Sequence, residues 1–352
     1  MTKIIATLGL VSNSKAKIKE LSDAGVEIFR LNFSHGSHQW HKECIKTIRS
    51  VTQNANIMLD TKGPEMRTGD IIDTNGKPSF FTITKGEILE LVSTIKEQDI
   101  FFEKSDTKNK KLFINHKNFV HDVEIGDVIA LNSGLQNLEV TSINTEKNII
   151  ITLVKNAGII KSRRHVNLVG KDVSLLTTTD ADKQDILFGL DQGINCIAMS
   201  FVRHASDIKY VQDICEKYAE NNNTKNEIKI YAKIETQEAI NNLEEIAKIT
   251  DGLMVARGDL GVETPFEFVP AKRKQILKTG KKYNCEVIVA TEMLESMITK
   301  PRPTRAEVSD ITFAVWQNAD YTMLSGETAA GNFPLESVQV MKKVIDAAEQ
   351  TK

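Results

Sequence analysis

What most constrains the fold of this chain is the regular alternation of short apolar runs with amphipathic stretches in its two flanking portions. Apolar runs at 3–8, 27–33, 56–60, 196–202, 228–234, 252–255, 286–290 and 321–324 have the length and composition of strands. Patterns with helical spacing occupy 14–24, 38–52, 180–191, 205–219, 237–248, 268–282, 305–317 and 334–348. Eight strands, each followed in the end by a helix, predict an α/β protein built as a closed (β/α)8 barrel, a TIM barrel. The strand cores are apolar on both faces, as parallel strands covered by helices require.

One crossover is far too long for a loop. Segment 70–169 separates the third strand from its helix, and it carries period-two runs such as Phe81-Thr82-Ile83-Thr84 and 148–153. Asn75-Gly76, Lys85-Gly86, Ile125-Gly126-Asp127 and Ser133-Gly134 punctuate it as hairpin turns. The expected organisation is a discontinuous catalytic barrel, 1–69 and 170–352, interrupted by a small β domain at 70–169. The charged, aperiodic stretch 97–111 reads as a mobile surface loop.

Composition excludes several classes of partner. With 45 basic against 47 acidic side chains and a net charge of -2, there is no basic excess for nucleic acid or an anionic membrane. Cys44, Cys196, Cys215 and Cys285 form neither a paired framework nor a C-x-x-C motif, which fits a reducing, cytoplasmic compartment. The apolar start after Lys3 reads as a buried first strand rather than a signal peptide. No apolar run reaches the roughly 20 residues that span a bilayer.

In a barrel of this kind chemistry sits at the C-terminal ends of the strands, so polar residues there come first. In the second strand Arg30, Asn32 and Ser34 share one face, because side chains alternate along a strand. An inward Arg needs an anionic partner, either a ligand or a structural mate such as Asp60. The third strand closes with Asp60, Thr61 and, further on, Arg67. The fifth places Lys233 and Glu235 on one face, and the sixth ends at Arg257-Gly258-Asp259. Glu235 and Asp259 offer the oxygen-rich, incomplete coordination that Mg²⁺ accepts, with Lys233 beside them as a point charge. The bland alternative is a Lys-Glu salt bridge without metal. Thr291 and Ser325, after the seventh and eighth strands, supply hydroxyls for a substrate or water, or serve as helix caps.

Common nucleotide and hydrolase motifs are missing: there is no Walker loop, G-x-G-x-x-G after a strand, H-E-x-x-H or G-x-S-x-G. His35, His38 and His41 have helical spacing, but surroundings without thiols favour exposed helix residues over zinc ligands.

These strand ends resemble the pyruvate kinase family. The stretches that carry the resemblance are Arg30-Leu31-Asn32-Phe33-Ser34-His35-Gly36, Leu59-Asp60-Thr61-Lys62-Gly63-Pro64-Glu65, Lys233-Ile234-Glu235, 254–261, Met293-Leu294-Glu295-Ser296-Met297 with 301–310, and 323–329. They span nearly the whole chain in the family's order. The resemblance implies a barrel with an inserted β-barrel lid that transfers a phosphoryl group from phosphoenolpyruvate to ADP in glycolysis, giving pyruvate and ATP. It implies Lys233 and Arg30 at the phosphoryl group, Glu235 and Asp259 on Mg²⁺ (or Mn²⁺), and Asn32, Ser34, Asp60 and Thr61 on K⁺. Gly258, Asp259 and Thr291 would then meet the substrate, with Thr291 and bound water, through Ser325, delivering a proton. Asn32, His35, Arg67 and Arg164 would contact the nucleotide. Glu65 goes in this family with K⁺ dependence.

The chain departs from the family's usual pattern at Thr7-Leu8-Gly9-Leu10, Asn132-Ser133-Gly134, Val169 and Glu292. Most of these changes fall in the lid or its hinge, so the expected consequence is altered nucleotide affinity or lid closure. The chain stops at Lys352, where most members continue into an effector-binding domain; hyperbolic kinetics, unresponsive to fructose 1,6-bisphosphate, are the corresponding expectation. Segment 303–310 resembles the family's barrel-barrel interface, which implies a homo-oligomer, a dimer rather than the family's tetramer. The competing readings are a pyruvate kinase-like binding or regulatory protein and a lyase that uses the same Mg²⁺-enolate site.

Overall fold

Eight strands close on one another: β1 (Lys3–Thr7), β2 (Val26–Asn32), β3 (Asn56–Asp60), β4 (Cys196–Met199), β5 (Lys229–Ile234), β6 (Gly252–Ala256), β7 (Glu286–Ala290) and β8 (Tyr321–Leu324). Every neighbouring pair is parallel, and β1 pairs with both β2 and β8, which completes the ring. The structure, a computed structural model, describes all residues except 73–76, 94–98, 102–109, 133, 172 and 225–226, and only the backbone at 99–101. The Asn75-Gly76 turn, Ser133 and most of the expected loop 97–111 therefore lie outside the described residues. The (β/α)8 barrel expected from the alternation is the fold observed.

Strand parity builds two cores. Ile5, Ile28, Met58, Ala198, Tyr231, Met254, Ile288 and Met323 fill the barrel interior. Phe29, Leu31, Ile57, Leu59, Ile197, Ala232 and Val255 face the helix layer. The residue two beyond an interior residue must also point inward. Ile28 thus dictates Arg30 and Asn32, Met58 dictates Asp60, and Tyr231 dictates Lys233. The register then brings them level, with Asn32 opposite Asp60 on β2 and β3, and Asp60 opposite Ala198 on β3 and β4.

Helix boundaries follow their caps. Thr179 and Asp182 form a reciprocal capping box at the start of helix Asp180–Asp191, and Asp182 Oδ1 also accepts the Gly63 amide at 2.9 Å. One carboxylate thereby starts a helix and fixes the turn after β3. Gly63 needs its freedom: its φ is +70°, and a Cβ there would lie 2.8 Å from the Phe201 ring and 2.9 Å from Ser200 Cβ. The helix expected over 237–248 is instead two short ones, Gln237–Asn241 and Leu243–Ala247. Asn242 separates them with φ −98° and ψ 13°, its side chain turned to the Arg203 carbonyl at 3.0 Å.

A second unit comprises Pro64–Leu176 with Gly261–Phe266. Its main sheet runs Val166–Leu168, Val128–Leu131, Gln136–Asn144, Ile149–Val154, Ile88–Val92, Lys110–Phe113, and two-stranded ladders join Phe80–Ile83 to Gly158–Lys161 and Asp70–Ile72 to Asp99–Phe101. Leu89, Leu91, Phe119, Ile129, Leu138 and Ile150 form a core of its own. The resemblance implied a small β-barrel here. Among the described residues the ladder is open, because the edge strands Val166–Leu168 and Lys110–Phe113 each pair on one side only.

Candidate active site

The inward polar residues of β2, β3 and β5 form one charged network. Arg30 Nε donates to Asp60 Oδ2 at 2.6 Å, and Arg30 Nη1 to Thr7 Oγ1 at 2.9 Å. Lys233 Nζ reaches Asp60 Oδ1 at 3.1 Å, Glu235 Oε1 at 3.1 Å and Ser200 Oγ at 2.7 Å. Two of the three ammonium N–H groups thus donate hydrogen bonds, to Asp60 and Ser200, while Glu235 stands in ion-pair contact. The two structural pairings left open above, Arg30 with Asp60 and Lys233 with Glu235, therefore both exist, and they share Asp60 as a common node.

Burial sets the electrostatics. Asp60 and Glu235 are each 1% exposed. Desolvation alone would push the Asp60 carboxyl up, but Arg30 and Lys233 outweigh it and hold its pKa below the usual carboxylate range. Burial opposes the Lys233 charge as well, yet Asp60 and Glu235 raise its pKa. Glu235 goes the other way: burial lifts it to about 7, with Lys233 pulling down and Asp259 and Asp60 adding like-charge repulsion. Three carboxylates, Asp60, Glu235 and Asp259, thus confront two cations. The surplus negative charge is what a divalent cation would neutralise, so Glu235 and Asp259 fit such an ion with substrate and water as further ligands. Among the described residues no group of three or more His, Cys, Asp or Glu side chains forms a self-sufficient metal site.

The monovalent-ion candidates lie on the same rim. Asn32 Oδ1 accepts the Ser34 amide at 3.0 Å. Thr61 Oγ1 accepts the Ser200 amide at 3.0 Å, while the Thr61 carbonyl accepts the Ser200 hydroxyl at 2.6 Å. Gly258 N donates to Thr291 Oγ1 at 3.0 Å, which joins the ends of β6 and β7. The Ser325 amide is held by Glu327 Oε2 at 2.7 Å. Arg30, Asn32, His35, Thr291 and Ser325 line a cavity of about 620 Å³ together with Trp40 and Leu10.

Arg67 and Arg164 belong to the second unit. Arg67 donates to Glu65 Oε2 at 2.8 Å and to the Arg163 carbonyl at 2.8 Å, and lies 2.9 Å from His165 Nε2. Glu65 therefore carries an arginine partner. Arg164 is tied to Thr68 through its amide at 2.8 Å.

One expectation about the histidines needs correction. His35 and His38 are exposed, but His41 is fully buried, stacked on Phe33 with ring centroids 3.8 Å apart. Its Nε2–H donates to the His35 carbonyl at 2.9 Å, and desolvation lowers its pKa to about 4. It is a neutral packing residue because helix His38–Val51 turns that face onto the barrel wall.

Sequence reasoning missed Ser200, Thr7 and Phe201. Ser200 and Thr7 follow or end β4 and β1, so inspecting those two strand ends like the other six would have found them. Phe201 leaves no such signal: its φ is +53°, and its amide donates to Glu235 Oε2 at 2.7 Å.

Comparison with known proteins gives a concordant picture. A family model described as pyruvate kinase, barrel domain, matches residues 1–338. Proteins named pyruvate kinase from Staphylococcus epidermidis and Bacillus licheniformis are each 42% identical to this chain over 352 and 353 residues, covering 99% of it. That from Sporosarcina psychrophila is 43% identical over 347 residues, 97% of the chain. The chain spans 57%, 57% and 56% of the length of these three relatives.

Proposed function

The chain belongs to the pyruvate kinase family, and from that premise we infer that its barrel mouth moves the phosphoryl group of phosphoenolpyruvate to ADP, giving pyruvate and ATP. The observation that carries this reading is the largely shielded Lys233, held by Asp60, Glu235 and Ser200 beside Arg30. Phosphoryl transfer depends mainly on positioning and on stabilising charge over the phosphoryl oxygens. Lys233 and Arg30 supply two fixed cations for those oxygens. An incoming oxygen takes the remaining Lys233 N–H, and the bonds to Asp60 and Ser200 keep the ammonium aimed. A β-phosphate oxygen of ADP attacks phosphorus, the bond to the enolate oxygen breaks, and the enolate carbon is protonated to pyruvate.

Gly258 and Thr291 would meet the substrate in this reading, and Thr291 with bound water through Ser325 would deliver the proton. Glu235 and Asp259 would hold Mg²⁺ or Mn²⁺, which supplies Lewis-acid stabilisation of the developing charge. Asn32, Ser34, Asp60 and Thr61 would hold K⁺, and Asn32, His35, Arg67 and Arg164 the nucleotide. Among the described residues no helix is long and apolar enough to cross a membrane. Segment 303–310 is assigned to contact between two copies, and a concentration-independent monomer on sedimentation would contradict it.

A coupled assay for pyruvate and ATP with phosphoenolpyruvate, ADP, Mg²⁺ and K⁺ tests the function. ATP formation that requires ADP and disappears in Lys233→Met supports the kinase. Pyruvate formed without ADP points to a lyase or phosphatase. Binding of phosphoenolpyruvate with no product would identify a binding protein. Full activity in K⁺-free buffer would refute the potassium assignment alone.

A further inference from the structure

β7 ends at Ala290 in an unusual turn: Thr291 has φ 63° and Glu292 φ 52°. Two successive non-glycine residues in the left-handed region, one of them β-branched, persist only when the surroundings over-determine them. The over-determining group is Arg257, from the end of β6. Its Nε donates to the Ala290 carbonyl at 3.0 Å, its Nη2 donates to the Thr291 carbonyl, and the same nitrogen contacts Met293 Sδ at 2.9 Å. Its Nη1 is paired with Asp310, which in turn pairs with Arg273. The side chains of Arg257 and Arg273 are only 12% and 9% exposed.

The clamp also orients the Thr291 hydroxyl. Thr291 Oγ1 donates to the Ala290 carbonyl at 2.7 Å and accepts the Gly258 amide at 3.0 Å. Arg257 and the hydroxyl therefore share one carbonyl, whose two lone pairs are both taken. The hydroxyl keeps a single open lone pair, and Thr291 lines the cavity at the barrel mouth. A lysine at 257 could restore the charge opposite Asp310, but a single ammonium on a flexible stem does not reproduce the planar fork on two carbonyls.

We propose that Arg257, steadied by Asp310 and Arg273, is a positioning residue that forces the strained Thr291–Glu292 turn and so aims the Thr291 hydroxyl at the substrate. This rests on the kinase reading, in which Thr291 touches that substrate. Arg257→Met is expected to lower kcat by about 100-fold, the cost of a misplacement near one ångström, with the KM for ADP within twofold of wild type. Arg257→Lys should recover the melting temperature but not kcat. Asp310→Asn, nearly isosteric, should cause a smaller fall of the same kind, and it serves if Arg257→Met does not fold.

The deciding measurement is a double-mutant cycle. Arg257→Met combined with Thr291→Val should be no slower than Thr291→Val alone; multiplying effects, or full rescue of kcat by Arg257→Lys, would overturn the proposal. A wild-type protein that makes no ATP would instead sink the functional reading. The clamp is then still tested by the threonine methyl resonance assigned through Thr291→Val, which should shift in Arg257→Lys and, if unmoved, rules the clamp out.

Discussion

Lys229 and Lys233 sit four residues apart on the same face of β5, one at each end of the barrel. At the N-terminal end, Lys229 meets Glu286 at 2.9 Å with the two side chains 50% and 32% exposed, and Tyr231 hydroxyl donates to the other Glu286 oxygen at 2.5 Å. At the C-terminal end, Lys233 is 12% exposed and meets carboxylates that are 1% exposed. Water shares the work of solvating the first pair, so it tolerates a one-to-one match. Without water the second set of charges must solvate one another, and the result is a network with shared partners and a carboxyl displaced to about 7. The same residue types on one strand are a surface pair at one end and a poised site at the other. Burial accounts for the difference, and the shielded network lies at the C-terminal face, where chemistry in this fold sits.

The comparison breaks most directly at the lysines. Lys233→Met should lower kcat by about a thousandfold, the upper range for loss of one preorganised electrostatic contact. An activity within tenfold of wild type in the coupled assay would mean that the two ends are not chemically distinct. Ser200→Ala removes the 2.7 Å bond to Lys233 while leaving both carboxylates. A hydrogen bond to a charged group contributes about 1.5–3 kcal/mol, so kcat should drop about 10- to 100-fold, and the melting temperature should fall too because the bond to the Thr61 carbonyl is lost as well.

Acid titration sharpens the contrast between buried groups. His41 has a folded pKa of about 4 against an ordinary 6.5. Between those values the unfolded chain binds a proton that the folded chain does not. Its contribution to stability is therefore present above about pH 6.5 and lost as pH falls toward 4. Glu235 has the opposite sign: its folded pKa of about 7 exceeds the ordinary 4.5, so its contribution is present below about 4.5 and lost as pH rises through 7. In chelator the two slopes oppose. Glu235→Gln should unmask the His41 slope, with stability rising by about 2 kcal/mol from pH 4.5 to 6.5 in denaturant titrations. A flat profile in that variant would show that His41 is not held neutral.

The smallest effect belongs to the exposed end. Lys229→Met should cost no more than about 1 kcal/mol of stability and leave kcat within about twofold. A larger loss of kcat would show that the N-terminal end reaches the chemistry.

Much of this was legible in the sequence for a local reason. Period-two alternation is set by backbone geometry within each strand, so the inward placement of Arg30, Asn32, Lys233 and Glu235 follows once the strands are recognised. The buried state of His41 was less legible, because a helical repeat shows which residues share a face but not what that face meets. The left-handed backbone at Phe201, Thr291 and Glu292 left no local trace, since none of the three is a residue type that favours it.

By itself, then, the chain's order of residues determined the barrel and the facing of its strand-end side chains, because both arise from short-range periodicity and burial of apolar surface. Tertiary structure alone decided which of those side chains meet. Lys233 finds Asp60 across 173 residues, Ser200 finds Thr61 across 139, and Arg257 clamps the carbonyls of Ala290 and Thr291. Closing the ring of strands creates these contacts, and the desolvation that comes with closure turns separate charges into one coupled network at the barrel mouth.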